Sequence, residues 1–166
     1  DSFRDFYGFP TEKAKLAVDK YRERFAKIGI HENAVYPGIS GLLKELKERG
    51  RVLCLATSKP IVFARRILED FGLSDYFDVT VGSELDGTRN YKNEVIREVF
   101  RQLGPIDARR ALMIGDRRQD IEGAKLCGIA SLGVRFGYAE PGELENAGAD
   151  YLVSTVEELR TFLLNP

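Results

Sequence analysis

Apolar residues first repeat at helical spacing. Ala14, Ala17, Val18, Tyr21, Phe25 and Ile28 fall on one face, with Thr11 as a start signal and Gly29 as a stop. Phe3, Phe6, Tyr7 and Phe9 form an aromatic group ahead of this helix. Tyr36-Pro37-Gly38 then punctuates the chain, and the pattern beyond it changes. Short continuous apolar runs alternate with helical stretches. The runs Val52–Ala56, Phe77–Val81, Ala111–Ile114, Ala130–Val134 and Tyr151–Val153 have the length of buried strands. The helical set Ile39/Leu42/Leu43/Leu46 precedes them, and sets such as Phe63/Ala64/Ile67/Leu68/Phe71 and Val95/Ile96/Val99/Phe100/Leu103 lie between them. Asp120 to Leu126 reads as another helix, stopped at Gly128. Thr155-Val156-Glu157-Glu158 is a capping box opening the last helix.

Strands alternating with helices predict an α/β fold with a parallel sheet and helices on both faces. Ligands of such sheets bind beyond the carboxyl ends of the strands. That rule directs attention to Thr57-Ser58-Lys59, Gly82-Ser83-Glu84, Gly115-Asp116 and Arg135.

Composition narrows the function classes. Hydrophobic residues make up 43% and charged residues 31% of the 166, enough apolar mass for one core. A net charge of -1 gives no basic field for nucleic acid or an anionic membrane surface. No apolar run approaches the roughly 20 residues of a membrane span. Asp1-Ser2-Phe3-Arg4 lacks the basic-then-apolar pattern of a leader. Two cysteines without metal-ligand spacing, Cys54 and Cys127, favour a reducing cytoplasm.

Three stretches can carry chemistry. In Gly115-Asp116-Arg117-Arg118-Gln119-Asp120, the glycine lets the chain turn off a strand. Asp116 then projects at the sheet edge, and Asp120, near a helix start, can return to the same side. Two carboxylates on one rim suit Mg²⁺, although an aspartate near a helix start also serves as a cap. Thr57 and Ser58 follow a strand and precede Pro60, a plausible helix start, where hydroxyls and free N–H groups could cradle phosphate or simply cap the helix. Lys92 opens a later helix, either beside a phosphate or as a solvated surface lysine. The single histidine, His31, lies outside the alternating region, and Cys54 suits the core better than nucleophilic duty.

The order of these stretches resembles the haloacid dehalogenase superfamily, over nearly the whole chain. Leu55-Ala56-Thr57-Ser58-Lys59-Pro60 is similar to that family's second motif, Lys92 to its third and Gly115-Asp116-x-x-x-Asp120 to its fourth. Asn90-Tyr91-Lys92-Asn93 departs from the commoner Lys-Pro form of the third motif. The resemblance implies a Rossmann-like core over residues 36–166 and part of a helical cap, of the phosphoglycolate phosphatase-like branch, over residues 1–35. It implies Thr57 and Ser58 as phosphate ligands and Lys92 as the cation beside phosphate. Asp116 and Asp120 are then the carboxylates that hold Mg²⁺.

One motif of the family has no counterpart here. Its first motif is an Asp-x-Asp on a central strand before the cap, and Asp1 and Asp5 lack both the spacing and a preceding apolar strand. The expectation is therefore a core without its first strand, whose nucleophile lies upstream. The implied activity is Mg²⁺-dependent hydrolysis of a phosphate monoester, a small phosphorylated metabolite such as phosphoglycolate or a nucleoside monophosphate. The alternatives are a non-catalytic homologue that binds phosphate or a protein partner, or a 5′-nucleotidase or phosphomutase of the same superfamily. A receiver domain also uses aspartates, a threonine and a lysine at strand ends, but fits neither the helical segment before the sheet nor the Gly-Asp-x-x-x-Asp form.

Overall fold

The structure is a computed structural model that describes residues 2–5 and 7–165. It divides into two compact units, residues 1–34 and 35–166.

The first unit is helical. Helix α1 (Ser2–Asp5) precedes α2 (Thr11–Lys27) and a single 3₁₀ turn at Gly29–His31. Thr11 lies inside α2 instead of capping it, because the carbonyl of Pro10 already accepts the first helical bond, from Ala14 N–H. Ala14, Phe25 and Ile30 are buried. Phe3 stacks on Phe9, while Phe6 and Asp1 lie outside the described residues.

The second unit alternates as expected. Its elements are α3 (Ile39–Glu48), β1 (Cys54–Pro60), α4 (Ile61–Asp70), β2 (Val79–Ser83), α5 (Lys92–Leu103), β3 (Leu112–Gly115), α6 (Arg118–Cys127), β4 (Ala130–Val134), a short α7 (Glu143–Asn146), β5 (Tyr151–Val153) and α8 (Val156–Leu164). All strand pairs are parallel, and they form two sheets, β1-β2 and β3-β4-β5. Among the described residues, no strand pairs with β1 on the side away from β2, nor with β3 on the side away from β4.

The two sheets nevertheless share both apolar layers. Leu53, just before β1, and Leu112 of β3 pack with Leu42 and Leu46 of α3 and Leu159 and Leu164 of α8. On the opposite face Ala56 of β1 and Met113 of β3 pack with Ile96 of α5 and Ala124 of α6. Side chains alternate across a strand, so consecutive residues serve opposite layers.

Two expectations are corrected here. The sequence pattern ends the first strand at Ala56 and places Thr57 and Ser58 between it and a helix starting at Pro60. In the structure β1 continues to Pro60, and α4 starts at Ile61. The register slips between Ala56↔Val81 and Pro60↔Ser83, a bulge held by local bonds. Lys59 N–H donates to Thr57 Oγ1 (3.1 Å), and Ser83 Oγ donates to Ser58 O (2.9 Å). The second correction concerns the last capping box. Thr155 Oγ1 accepts Glu158 N–H as expected, but the Glu158 carboxylate accepts the N–H of Ser154 instead of that of Thr155.

Candidate functional site

Lys92 begins α5 and points across the boundary between the two sheets. Its Nζ donates to Ala56 O on β1 (2.9 Å) and lies 2.8 Å from Asp120 Oδ1 on α6. The direction of Ala56 O follows from the ladder. Leu53 O accepts Asp78 N–H from the β2 side, so three alternating steps leave the Ala56 carbonyl on the other edge. The side chains of Lys92 and Asp120 are only 9% and 8% exposed. A charge pair so removed from water persists only when each partner is also hydrogen-bonded. Asp120 meets that condition: its Oδ2 accepts Arg117 N–H (3.1 Å).

Glycines make this close packing feasible. A Cβ on Gly123 would sit 2.7 Å from Lys92 Cγ, and a Cβ on Gly115 would overlap the Asp120 carboxylate. Helix α6 therefore lies tight against both the lysine and the end of β3.

Asp116 follows β3 directly and is half-buried. Its Oδ2 accepts Tyr138 N–H (2.9 Å), from the loop after β4, and a Cβ on Gly137 would collide with its carboxylate. Among the described residues, no hydrogen bond reaches Asp116 Oδ1. The same loop is tied to the start of α6. Glu143 Oε1 accepts Arg117 Nε (2.9 Å) and Arg118 N–H (2.8 Å). Those bonds, the backbone one foremost, hold the Glu143 carboxyl well below the usual range, at about 2.

The chain of contacts runs from Ala56, beside Thr57, through Lys92 to Asp120 and on to Arg117, beside Asp116. Thr57, Lys92, Asp116 and Asp120 thus gather around the Lys92–Asp120 pair, Thr57 and Asp116 through their chain neighbours Ala56 and Arg117. Ser58 is exposed on the bulge next to Thr57. Lys59, half-buried, has its ammonium pKa pushed down by that burial. A separate depression of about 310 Å³ lies beside β2, between Ile61, Arg65, Glu84 and Arg89. It includes none of the four converging residues.

Asp116 and Asp120 offer hard oxygens, the donor chemistry Mg²⁺ requires. Only Asp116 has an oxygen not already engaged, since both oxygens of Asp120 are taken by Lys92 and Arg117. Among the described residues, no group of three or more His, Cys, Asp and Glu side chains converges as a metal cage. Cys54 has its thiol pushed up by burial, which fits the core role expected of it. Also among the described residues, no helix is long and apolar enough to cross a membrane.

The sequence reading missed Gly137, Tyr138 and Glu143. Arg135 had marked the end of β4 as a place to look, but nothing in Phe136-Gly137-Tyr138 announces that two backbone features there hold Asp116.

Known proteins similar to this chain in sequence and fold are numerous. A 5′-nucleotidase of Pseudomonas aeruginosa is 43% identical over 161 residues, covering 97% of this chain and 72% of that protein. A plasmid-borne phosphoglycolate phosphatase of Cupriavidus necator is 32% identical over 154 residues, covering 93% of this chain and 66% of its own length. Among solved structures, a predicted phosphatase from Clostridium acetobutylicum superposes with a TM-score of 0.94 at 46% identity, covering 99% of this chain and 76% of that one. A sequence model of the haloacid dehalogenase-like hydrolases matches residues 1–128. Fold and sequence agree, and the chain belongs to the haloacid dehalogenase-like hydrolase family.

Proposed function

We propose that this chain is the phosphate-handling part of a Mg²⁺-dependent hydrolase of phosphate monoesters. The observation that carries this reading is Lys92, a buried cation bridging Ala56 beside Thr57 to Asp120 beside Asp116. A phosphoryl group at this rim would meet the hydroxyls of Thr57 and Ser58 on one side and Asp116 on the other. Fixed donors and charges in a partly dry site stabilise developing charge more than water does. Asp116, through Oδ1, would hold the ion, while Asp120 holds Lys92 and the start of α6. Mg²⁺, when bound, would screen charge on the phosphoryl oxygens.

The nucleophile belongs, on this reading, to one further parallel strand between β1 and β3. The unpaired edges of those strands, which share apolar layers above and below, support that placement. An Asp-x-Asp on such a strand would supply an aspartate to attack phosphorus, giving an aspartyl-phosphate that water hydrolyses. The second aspartate would pass a proton to the leaving oxygen and later take one from water. Lys92 would offset negative charge on nucleophile and phosphate. The substrate is a small phosphorylated metabolite. The relative named a 5′-nucleotidase, at 43% identity, favours a nucleoside monophosphate over phosphoglycolate.

The test is steady-state hydrolysis of an aryl phosphate and a nucleoside 5′-monophosphate by the gene product that includes any sequence upstream of Asp1. Mg²⁺-dependent turnover is expected, lost in Asp116→Ala and reduced about 10- to 100-fold in Asp120→Ala. Residues 1–166 alone are expected to show negligible turnover. Undiminished activity in excess chelator, or in Asp116→Ala, overturns the metal assignment. Brisk turnover by verified Asp1–Pro166 protein places the nucleophile within this sequence.

A further inference from the structure

Tyr138 is 78% exposed, although its own N–H is fixed on Asp116 Oδ2. The main chain does the holding, and Gly137 leaves no freedom there because any Cβ would meet the Asp116 carboxylate. The phenol ring is therefore not needed for the bond; serine or alanine would donate the same N–H. Its backbone is held beside the rim, and the residue faces solvent.

A second ring accompanies it. Tyr36 is 41% exposed and packs edge-on against Phe136, with ring centroids 5.3 Å apart at 74°. Phe136 in turn packs against the apolar layer of α3 and α8 and so acts as a rigid base. Gly137 alone separates Phe136 from Tyr138, so the ring that Tyr36 packs on and the N–H that holds Asp116 belong to one three-residue stretch. Two solvent-exposed tyrosines thus flank the short stretch that holds a carboxylate of the phosphate-handling rim.

Exposed aromatic rings lose apolar contact that a planar ligand restores, and ring–base stacking tolerates many bases because each has a π-face. We propose that Tyr138, with Tyr36 beside it, is an aromatic platform that receives the planar leaving group of the substrate, the base of a nucleoside monophosphate. The proposal rests on the phosphate monoesterase reading and adds to it the residues that select the leaving group. Both rings act on binding; neither touches the reacting phosphorus.

The experiment compares Tyr138→Ala, Tyr138→Phe and wild type in the full gene product, on adenosine 5′-monophosphate and on 2-phosphoglycolate. The ratio of kcat/KM for the nucleotide to that for phosphoglycolate should fall about tenfold in Tyr138→Ala, mostly through KM. Tyr138→Phe, which keeps the ring, should restore the ratio. An unchanged ratio in Tyr138→Ala, or a Phe variant as defective as the Ala variant, overturns the platform. Calorimetric titration with adenosine 5′-monophosphate separates this from the hydrolase reading. Tyr138-dependent binding without wild-type turnover supports the platform while the hydrolase reading fails. Turnover of both esters with no Tyr138-dependent nucleotide binding does the reverse.

Discussion

Replacing Lys92 by methionine isolates the buried ion pair. Methionine keeps an unbranched stem to pack on Gly123, which lies against Lys92 Cβ and Cγ, so little volume is lost. What disappears is the cation 2.8 Å from Asp120 Oδ1 and the donor to Ala56 O. An uncompensated carboxylate is left at a site where its side chain is 8% exposed. Breaking a pair of this kind costs about 3–5 kcal/mol, far more than the about 0–1 kcal/mol of an exposed pair. With a urea slope of about 2 kcal/mol per molar, the unfolding midpoint should drop by roughly 1.5–2.5 M. The companion change Asp120→Asn removes the stranded charge yet keeps an acceptor for Arg117 N–H. The double variant should therefore recover most of the loss, with a coupling of at least about 3 kcal/mol, the top of the range for residues in contact. Urea denaturation of the four proteins of this cycle, followed by far-ultraviolet circular dichroism, gives the answer. A midpoint shift below about 0.5 M in Lys92→Met, or purely additive effects, would refute the claim that this pair holds the site together.

Two further outcomes follow from the same geometry. Gly115→Ala must push the Asp120 carboxylate aside, because the new Cβ overlaps it; a loss of about 1–3 kcal/mol is expected in thermal melts, and an unchanged melt refutes the packing argument. Glu143 has a folded pKa of about 2, below its ordinary carboxylate value, so its contribution is complete above about pH 4.5 and is lost as pH falls toward 2. Glu143→Gln should accordingly flatten the fall in urea midpoint between pH 5 and pH 3, and parallel curves for the two proteins would count against it.

The alternation of strand and helix was legible because both periods are strong in this chain. Ala130–Val134 and Tyr151–Val153 coincide with β4 and β5. The β1 boundaries were not legible. Val52 continues the apolar run but is exposed, and the strand instead extends through polar Thr57, Ser58 and Lys59. Pairing with β2 and the Thr57 and Ser58 bonds decide that, and neither is a property of the local sequence. Of the site, Lys92, Asp116 and Asp120 were legible as chemical types at strand and helix ends. That Lys92 would be buried between Ala56 and Asp120, instead of solvated, depends on the small contacts at Gly115 and Gly123. The role of the Phe136-Gly137-Tyr138 backbone was hidden because an N–H donor leaves no mark on residue identity.

Among the described residues no strand pairs with the facing edges of β1 and β3, and a strand laid parallel between them would join the two sheets into one. A guest lying parallel between them would have Leu55 and Ile114 beside one of its faces and Ala56 and Met113 beside the other. Ile114, 37% exposed, leaves space on its side, whereas the Met113 side is already filled by α5 and α6. A synthetic peptide with bulky aliphatic residues at alternate positions and small ones between them would match that asymmetry. Its capture could be read out as a two-piece reporter, in which assembly switches a signal on. The same edges, left bare at high concentration, invite another copy to dock, so dilute conditions or a tethered guest would be the sensible format for such a device.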